Sequence, residues 1–364
     1  YAATTMYEAL FDEWYATGFG AVLKALGNNN LSWEKTDKFN VGIEMQFLNR
    51  RLTVDADYYH DKTIDVVNDV SLSQTSGFSS YKDNMGEVLN QGFELQVRGE
   101  VLRNRDWLVA LWGNMAHNKN KIMKISDSQR AYNQRVKDFY QKAINEQAYS
   151  SYDPQYGVPI AQYEEGQSLT SIWAVKSLGI DPTTGKEIFL NRDGSVSDTW
   201  NATQEVVVGN TEPKFNGSVG FNVAYKAWSL FAAFQYEWGG QEYNQTLVDR
   251  VENARIQYQN VDLRVLTDRW KQPGDIAQFK DIKDADYVTM PTSRFVQDKA
   301  YLRLSALTLS YDFNREWIKK HLGMNMLRLE ASTRDFINWN SIRQERGLSY
   351  PKSWTVDFSI KAQF

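Results

Sequence analysis

The last eleven residues of the chain alternate strictly between apolar and polar side chains. Every even position from Trp354 to Phe364 is apolar, and every odd position between them is polar. A two-residue period predicts a β-strand with one apolar and one polar face. The same period recurs upstream and predicts nine long strands, at about 32–48, 51–68, 87–101, 106–121, 212–226, 227–242, 297–313, 325–338 and 352–364.

The connections between these strands alternate in length. Short turns are predicted near 49–50, 102–105, 226–227 and 314–324, and long connections at 69–86, 122–211, 243–296 and 339–351. Short turns at one end of a sheet and long loops at the other are typical of outer-membrane β-barrels, whose short turns are periplasmic. The pattern therefore favours an all-β fold, a transmembrane antiparallel β-barrel.

The strands and long connections also carry local signals. Asp127 is predicted to cap an amphipathic helix, and residues 180–194 are predicted to form a small hairpin. A change of phase in one apolar row predicts a bulge near Ser305–Ala306. Two further helical stripes are predicted, one of Leu247, Val251, Ala254 and Tyr258 and the other of Leu263, Leu266 and Trp270.

Aromatic residues are abundant in a chain that is polar on average. The 12 Trp, 20 Tyr and 18 Phe make up 14% of the chain, and the mean hydropathy is −0.55. This combination fits either a carbohydrate-binding β protein or a membrane barrel with aromatic girdles. Aromatic residues such as Trp228, Trp238 and Phe364 stand at the ends of the apolar rows, and this placement favours the membrane barrel.

Residue types and charge argue against several functions. The 41 Lys and Arg against 45 Asp and Glu leave a net charge of −4, so no basic surface for nucleic acid is expected. The chain has no cysteine, which excludes disulfides and thiolate ligands, and its three histidines are far apart in sequence. The Gly-x-Ser-x-Gly and His-Glu-x-x-His motifs do not occur. We therefore expect neither an enzyme nor a cofactor nor a metal site.

The predicted number of strands is odd. Closed single-chain bacterial barrels generally have an even number, and closure removes unpaired edges from the hydrocarbon. Nine strands alone would leave two edges unpaired. We therefore expect residues 1–364 to be the C-terminal portion of a larger barrel.

Short motifs spread along the whole chain carry a resemblance to a known family. They are NLSWEKT at 30–36, NRRL at 49–52, DYY at 57–59, SGFSSY at 76–81, NMGEV at 84–88, NQGFE at 90–94, GNTEPKF at 209–215, RWKQPGD at 269–275, YLRL at 301–304 and the terminal Phe364. In this order they resemble the SusC-like TonB-dependent outer-membrane transporters of Bacteroidetes.

The resemblance implies a 22-stranded barrel, to which this chain would contribute the last nine strands and long, partly helical extracellular loops. It also implies active import of a glycan or an oligopeptide, energised by the TonB complex. A SusD-like surface lipoprotein would cover the cargo. The family's plug domain and its TonB-contacting segment have no counterpart in these 364 residues.

Other functions stay open at this stage. A passive outer-membrane porin would share the same alternating strands. A soluble carbohydrate-binding β protein would also share them, but its apolar face would pack against a second sheet.

Two sets of residues are candidate sites. The polar rows are expected to line the barrel lumen, with Glu44, Asp55, Asp57, Glu94, Arg98, Glu237, Arg303, Arg328, Glu330 and Arg334 as candidates. The alternative interpretation is a solvated wall whose opposite charges pair across strands. In the loops, the candidates for contact with cargo or lid are Tyr149, Tyr152, Tyr156, Tyr163 and Trp173. Packing of these rings within the loops is the alternative there.

Overall fold

The computed structural model describes residues 4–15, 18–71, 78, 80–145, 154–254, 256, 258, 261–284, 287–343 and 354–364. Its strands are β1 (Met6–Tyr15), β2 (Gly18–Ala25), β3 (Lys35–Phe47), β4 (Leu52–Ile64), β5 (Val67–Ser71), β6 (Ser80–Asn84), β7 (Gly86–Arg103), β8 (Trp107–Ile125), β9 (Ser171–Ala174), β10 (Lys176–Ile180), β11 (Glu187–Leu190), β12 (Val196–Ser197), β13 (Val206–Asn210), β14 (Phe215–Tyr225), β15 (Trp228–Tyr243), β16 (Val296–Asp312), β17 (Met326–Thr333), β18 (Asn338–Asn340) and β19 (Val356–Gln363).

The helices are short, with one exception. They are α1 (Asp127–Asn145), α2 (Gln245–Leu247), which continues as a π-helical turn at Val248–Glu252, α3 (Arg264–Thr267) and α4 (Arg315–Leu322). Single 3₁₀ turns lie at Pro154–Gly157, Ala202–Gln204, Ile282–Asp284 and Ser293–Phe295. No helix in the described ranges is both long enough and apolar enough to cross a membrane.

The long strands form one antiparallel sheet. Its order is β3-β4-β7-β8-β14-β15-β16-β17-β19, so each long strand pairs with the next long strand in the sequence. All nine predicted strands are present, and their ends differ from the predicted ones by at most five residues. Within the described part of the chain the sheet does not close, because β3 and β19 each lack a second neighbour. The structure is therefore a partial barrel.

The predicted bulge is present in β16. Ala233 pairs with Ala306 and Phe234 with Leu304, so Ser305 lies outside the regular pairing of β15 with β16. The Ser305 hydroxyl donates a hydrogen bond to the Ala233 carbonyl at 2.9 Å. The bulge explains why the apolar row of this strand changes phase.

One predicted strand is interrupted. The two-residue period predicts a continuous strand over 325–338, but β17 ends at Thr333 and the chain pairs with β16 again only at β18. Between them, Asp335 has a φ of 56°, which breaks the extended backbone. The Asp335 N–H donates to the Leu304 carbonyl at 2.9 Å, next to the bulge in β16. The extra residue Ser305 in β16 is thus accommodated by a break between β17 and β18 in the neighbouring segment.

The apolar face of the sheet is exposed. Phe358 and Ile360 are 82% and 72% exposed, and Val41 and Leu111 also belong to the exposed large hydrophobic residues. In a β-sandwich a second sheet would cover such side chains. Their exposure shows that no second layer of the described residues covers them, which excludes the sandwich. A face of this kind is suited to lipid.

The long connections form their own packed layer at one edge of the sheet, and the short turns lie at the opposite edge. We call the described residues within 126–214 and 244–295 the loop layer. Its first core cluster contains Val136, Tyr140, Ala143, Tyr156, Val175, Phe189, Trp200, Ala202, Val288 and Met290. The second contains Leu247, Val248, Val251, Ala254, Val265, Phe279 and Phe295. Both of these core clusters of described residues therefore lie beyond the ends of the strands rather than on the face of the sheet.

The predicted loop elements are partly correct. Helix α1 is present, but Asp127 is its first residue, and the Ser126 hydroxyl accepts the cap hydrogen bond from the Gln129 N–H at 3.2 Å. The predicted hairpin at 180–194 is present as β10 and β11, to which β12 adds a third strand.

The helical stripes of 243–270 are correct only at their start. Leu247, Val251 and Ala254 are buried as predicted, whereas Tyr258 is exposed. The second stripe is wrong, because Leu263 and Leu266 are exposed, although Trp270 is buried. The physical reason is that α3 has a single turn, so the 3.6-residue period is not sustained.

Small strand pairs outside the large sheet were not predicted. They are β1 with β2, β5 with β6, and β9 with β13. All four residues of β9 are buried, so this strand has no alternation that a period could detect.

Candidate functional site: the polar face and the loop layer

The register of the sheet places polar residues in rows on one face, since directly opposed residues point to the same side. One row runs Glu44, Asp55, Gln96, Asn114, Ser218, Gln235 and Arg303. The next row runs Gly42, Asp57, Glu94, Ala116, Asn216, Glu237 and Tyr301. Candidates Arg98, Arg328 and Glu330 belong to the same face by their pairing, and Arg334 follows the end of β17.

A depression of about 450 Å³ lies on this polar face, lined by Asp55, Asp57 and Glu94 together with uncharged residues, most of which are polar. Gly42 provides room beside it, since a Cβ at this position would lie 2.2 Å from Oδ1 of Asp57. Within the described ranges we find no hydrogen bond or ion pair to the carboxylates of Asp55, Asp57 or Glu94. Three acidic groups therefore face the open depression.

The charged side chains further along the sheet have partners. Arg303 donates a hydrogen bond to the side-chain oxygen of Gln235, in addition to the ion pair given below. These are the cross-strand contacts that the solvated-wall interpretation expects. The ion pairs are Glu237 with Lys299 at 3.5 Å, Arg303 with Asp335 at 3.5 Å, Arg328 with Asp312 at 2.5 Å and Glu330 with Lys361 at 2.9 Å.

Two candidates lie closer to the turn edge. Glu44 accepts a hydrogen bond from Nε2 of Gln46 at 2.8 Å. Arg98 pairs with Thr53 on one side and with Trp112 on the other. The indole of Trp112 stacks with Phe231, with ring centroids 6.4 Å apart. The polar face therefore includes an aromatic pair near the turns.

Two of the loop aromatics are in the core of the loop layer. Trp173 is only 1% exposed, and Tyr156 is also buried. The ring of Tyr156 lies 4.8 Å from that of Phe139 in α1. This placement accords with the alternative interpretation of loop packing, and contact of these two rings with cargo stays a prediction.

The other loop aromatics differ in what the structure shows. Tyr163 has its ring 5.9 Å from that of Tyr132, and burial raises the pKa of both hydroxyls above the ordinary value. Tyr149 and Tyr152 lie outside the described residues.

A buried ionic cluster in the loop layer was not foreseen. Arg294 forms ion pairs with Glu252 at 2.6 Å and with Glu187 at 2.9 Å. Glu252 is 0% exposed. Burial alone would lower the pKa of Arg294, but the two carboxylates raise it above its ordinary value. The partners are 42 and 107 residues away from Arg294, so no local pattern could reveal them.

A second buried carboxyl belongs to Glu205. Its side chain accepts a hydrogen bond from Gln162, and Arg192 donates to its backbone carbonyl. Burial raises the pKa of Glu205 to about 7, against the opposing effects of Gln162, Lys137 and Arg192. The loop layer thus holds an acid that titrates near neutral pH.

Hydrogen bonds fasten the loop layer to the wall. Glu212 accepts from the side chain of Asn118 and from the N–H of Asn120 at 3.2 Å. The Asn120 side chain in turn accepts from the Leu169 N–H at 2.8 Å. Beside these contacts lies a cavity of about 760 Å³, which Lys299 also lines. The described ranges contain no group of three or more His, Asp or Glu side chains suited to a metal ion.

An exposed apolar face, an opposite polar face and one edge covered by packed loops define the wall of a membrane β-barrel. Residues 2–333 match the family described as TonB dependent receptor-like, beta-barrel. The match covers most of the chain, so the chain belongs to this family. The family consists of receptors and transporters rather than enzymes, and it implies location in the outer membrane.

Individual relatives agree with this assignment and with the resemblance seen in the motifs. TonB-dependent receptor P3 of Formosa agariphila is 26% identical over 327 residues, 88% of this chain and 31% of that protein. TonB-dependent receptor SusC of Bacteroides thetaiotaomicron is 23% identical over 301 residues, 80% of this chain and 27% of SusC.

A solved structure shares the fold. It is described as the structure of the RagAB peptide transporter, and it superposes with a TM-score of 0.75 at 21% identity. The superposition covers 100% of this chain and 39% of that chain. The chain thus spans between about a quarter and two fifths of the length of these relatives.

Proposed function

We propose that this chain forms the last nine strands and the extracellular loop layer of a 22-stranded TonB-dependent importer. The open sheet supports this proposal, because β3 and β19 need further strands to satisfy their edges in lipid. In the complete protein the polar face lines the lumen, and the apolar face contacts outer-membrane lipid. The plug and the TonB-contacting segment belong to the rest of the protein.

The proposed activity is active import of a glycan or an oligopeptide. The observation that carries it is the continuous polar face, with its open depression of about 450 Å³ and the cavity of about 760 Å³ beside the loop layer. The TonB complex supplies the energy, and a SusD-like lipoprotein covers the loop layer.

The test is uptake by cells that contain the complete transporter as their only importer of this kind. Labelled oligopeptides and labelled glycans are supplied in separate assays, with the proton-motive force intact or collapsed. We expect one cargo class to enter and its uptake to stop when the force collapses. Uptake that continues unchanged would instead support the second candidate, a passive porin with the same wall.

The unpaired carboxylates of the polar depression are proposed to face the cargo. Asp57→Asn combined with Glu94→Gln removes two charges at nearly constant shape, and we expect the KM for uptake to change while the amount of folded transporter does not. Glu330→Gln is the control, because its carboxylate is paired with Lys361. Equal KM values for both variants would argue against cargo contact in the depression.

The loop aromatics complete the proposal. Tyr149, Tyr152, Tyr156, Tyr163 and Trp173 remain candidates for contact with the cargo or with the lipoprotein. Co-purification of the complete transporter with the lipoprotein, before and after Tyr163→Ala, tests the second of these roles.

A further inference from the structure

The edge of the sheet formed by the short turns is strongly basic. Its turns are 48–51, 104–106, 226–227 and 313–325, and they carry seven Lys and Arg against two Asp and Glu, a net charge of +5. The opposite connections, 65–85, 126–214, 244–295 and 334–355, carry 21 Lys and Arg against 25 Asp and Glu, a net charge of −4. We call the first set the basic turn edge. Positive charge is concentrated there although the whole chain is acidic.

The longest of these turns contains helix α4. Asn314 caps the helix by accepting a hydrogen bond from the Trp317 N–H at 3.1 Å, and Gly323 ends it with a φ of 66°. Ile318 is fully buried and anchors the helix, whereas Trp317 and Leu322 are 50% and 46% exposed. About half of each of these two large apolar side chains is therefore available to an apolar neighbour such as a bilayer.

The helix is amphipathic. At 3.6 residues per turn, Trp317, Ile318, His321 and Leu322 share one side, and Lys319 and Lys320 flank the other. Ile318 lies within this side and is buried against the protein, whereas Trp317 and Leu322 lie at its margins and are about half exposed. The Trp317 and His321 rings stack at 5.1 Å, which extends the flat apolar side. Basic helices with Trp and Leu on one face lie in the headgroup layer of a bilayer.

The lipid-facing aromatic row leads directly into this helix. Trp228 lies 4.8 Å from Tyr311, and Tyr311 lies 5.0 Å from Phe313, all measured between ring centroids. Phe313 is followed immediately by Asn314, the cap of α4. The aromatic row on the apolar face of the sheet therefore ends at the residue that precedes the helix cap.

We propose that the basic turn edge binds anionic phospholipid headgroups of the leaflet that the turns reach, with α4 lying in the headgroup layer. Trp317 and Leu322 enter the boundary with the acyl chains, and Lys319 and Lys320 contact the phosphates. The two observations are complementary, because the exposed parts of Trp317 and Leu322 suit the apolar region of a bilayer and the net charge of +5 suits an anionic one. This interaction is independent of the cargo.

The charge is tested with the complete transporter reconstituted in bilayers with and without phosphatidylglycerol. Each lysine near an anionic surface contributes about fivefold to lipid binding. We therefore expect Lys319→Gln with Lys320→Gln to lower retention of phosphatidylglycerol, counted by native mass spectrometry, by about fivefold or more. Lys271→Gln with Lys283→Gln is the matched control, since it removes two exposed lysines from the loop layer. Equal retention by the two double variants would overturn the proposal.

The position of the helix is tested separately, so that a folding defect cannot imitate the result. The chain has no cysteine, so a nitroxide label is attached at Leu322→Cys or at Lys320→Cys in a transporter without other cysteines. In phosphatidylglycerol bilayers we expect position 322 to be more accessible to oxygen than to a water-soluble nickel chelate, and position 320 to show the reverse. Water-like accessibility at both positions would refute the membrane-bound helix.

Discussion

The wall and the loop layer place the same types of side chain in opposite environments. In the wall, large apolar residues such as Phe358 and Ile360 are exposed. In the loop layer, Tyr140 and Phe295 are completely buried. Burial against protein drives packing in water, whereas in a bilayer the lipid itself is the apolar partner. The comparison shows that apolar side chains are buried against protein where water surrounds the chain and are left exposed where lipid surrounds it.

The contrast extends to arginine–carboxylate pairs. Arg294 pairs with two buried carboxylates in the loop layer, whereas Arg328 pairs with Asp312 on the wet polar face, where both side chains are more than a third exposed. A buried pair is costly to break because it leaves an unpaired charge without water, whereas an exposed pair is replaced by hydration. The following predictions test this comparison, from the largest expected effect to the smallest.

Arg294→Ala should have the largest effect. It leaves the buried carboxylate of Glu252 without its cation, which costs about 3–5 kcal/mol. We expect the loop layer to open while the sheet remains folded. Hydrogen exchange of the complete transporter measures this as lost protection in residues 245–254 and unchanged protection in β14 and β15. Retained protection in the loop layer would show that the cluster does not hold it together.

Ile360→Arg should destabilise the wall by about 2–4 kcal/mol, because it places a charge on the lipid-facing side of a strand. Val356→Arg should act in the same direction. Urea titration of the complete transporter in bilayers measures the free energy of unfolding. Ser359→Arg is the control on the polar face and should have little effect. Equal tolerance of arginine at positions 359 and 360 would contradict the assignment of the two faces.

Glu205 should make the stability of the loop layer depend on pH. Its folded pKa of about 7 lies above the ordinary value of 4.5, so the folded state binds the proton more tightly. The contribution of Glu205 to stability is therefore fully present below about pH 4.5 and is lost as the pH rises through 7, by up to about 3 kcal/mol. Hydrogen exchange at pH 5.5 and pH 8 should show lower protection at the higher pH.

Glu205→Gln provides the control for this pH effect. The amide cannot ionise, so the difference in protection between the two pH values should become small in the region of Gln162 and Glu205. The same pH difference in the variant as in the wild type would assign the effect to another group.

Arg328→Ala should have the smallest effect, at most about 1 kcal/mol. Its partner Asp312 is partly exposed and becomes hydrated when the guanidinium is removed. The same urea titration as for Ile360→Arg measures it. A loss as large as that of Arg294→Ala would mean that the polar face is not hydrated.

The local alternation was sufficient to predict the sheet and its bulge. In each strand the side chains alternate between apolar and polar according to the face on which they lie. The nine strands and the shift at Ser305 could therefore be predicted without knowing which strands pair. The interruption at Asp335 was not predictable, because it lies opposite the bulge in the neighbouring strand β16 and depends on that pairing. Strand β9 was missed because it is buried on both sides.

The candidate site was predictable to a smaller extent. The sequence identified residues that share the polar face, but it could not show that Glu330 is paired with Lys361 while Asp57 faces an open depression. For the loop aromatics Tyr156 and Trp173 the sequence left contact with cargo or lid and packing within the loops both open, and the structure buries both rings. Side chains in a loop have no period, so their burial depends on segments that are distant in the chain.

The sequence alone determined that this chain forms long amphipathic strands, with one face for lipid and one for water, joined alternately by short and long connections. These properties depend on neighbours one or two positions away. Only the tertiary structure decided that the long connections form a packed layer, held by Arg294, Glu187 and Glu252. Those contacts join residues that are 42 and 107 positions apart. No pattern among neighbouring residues indicates which distant side chains will pair.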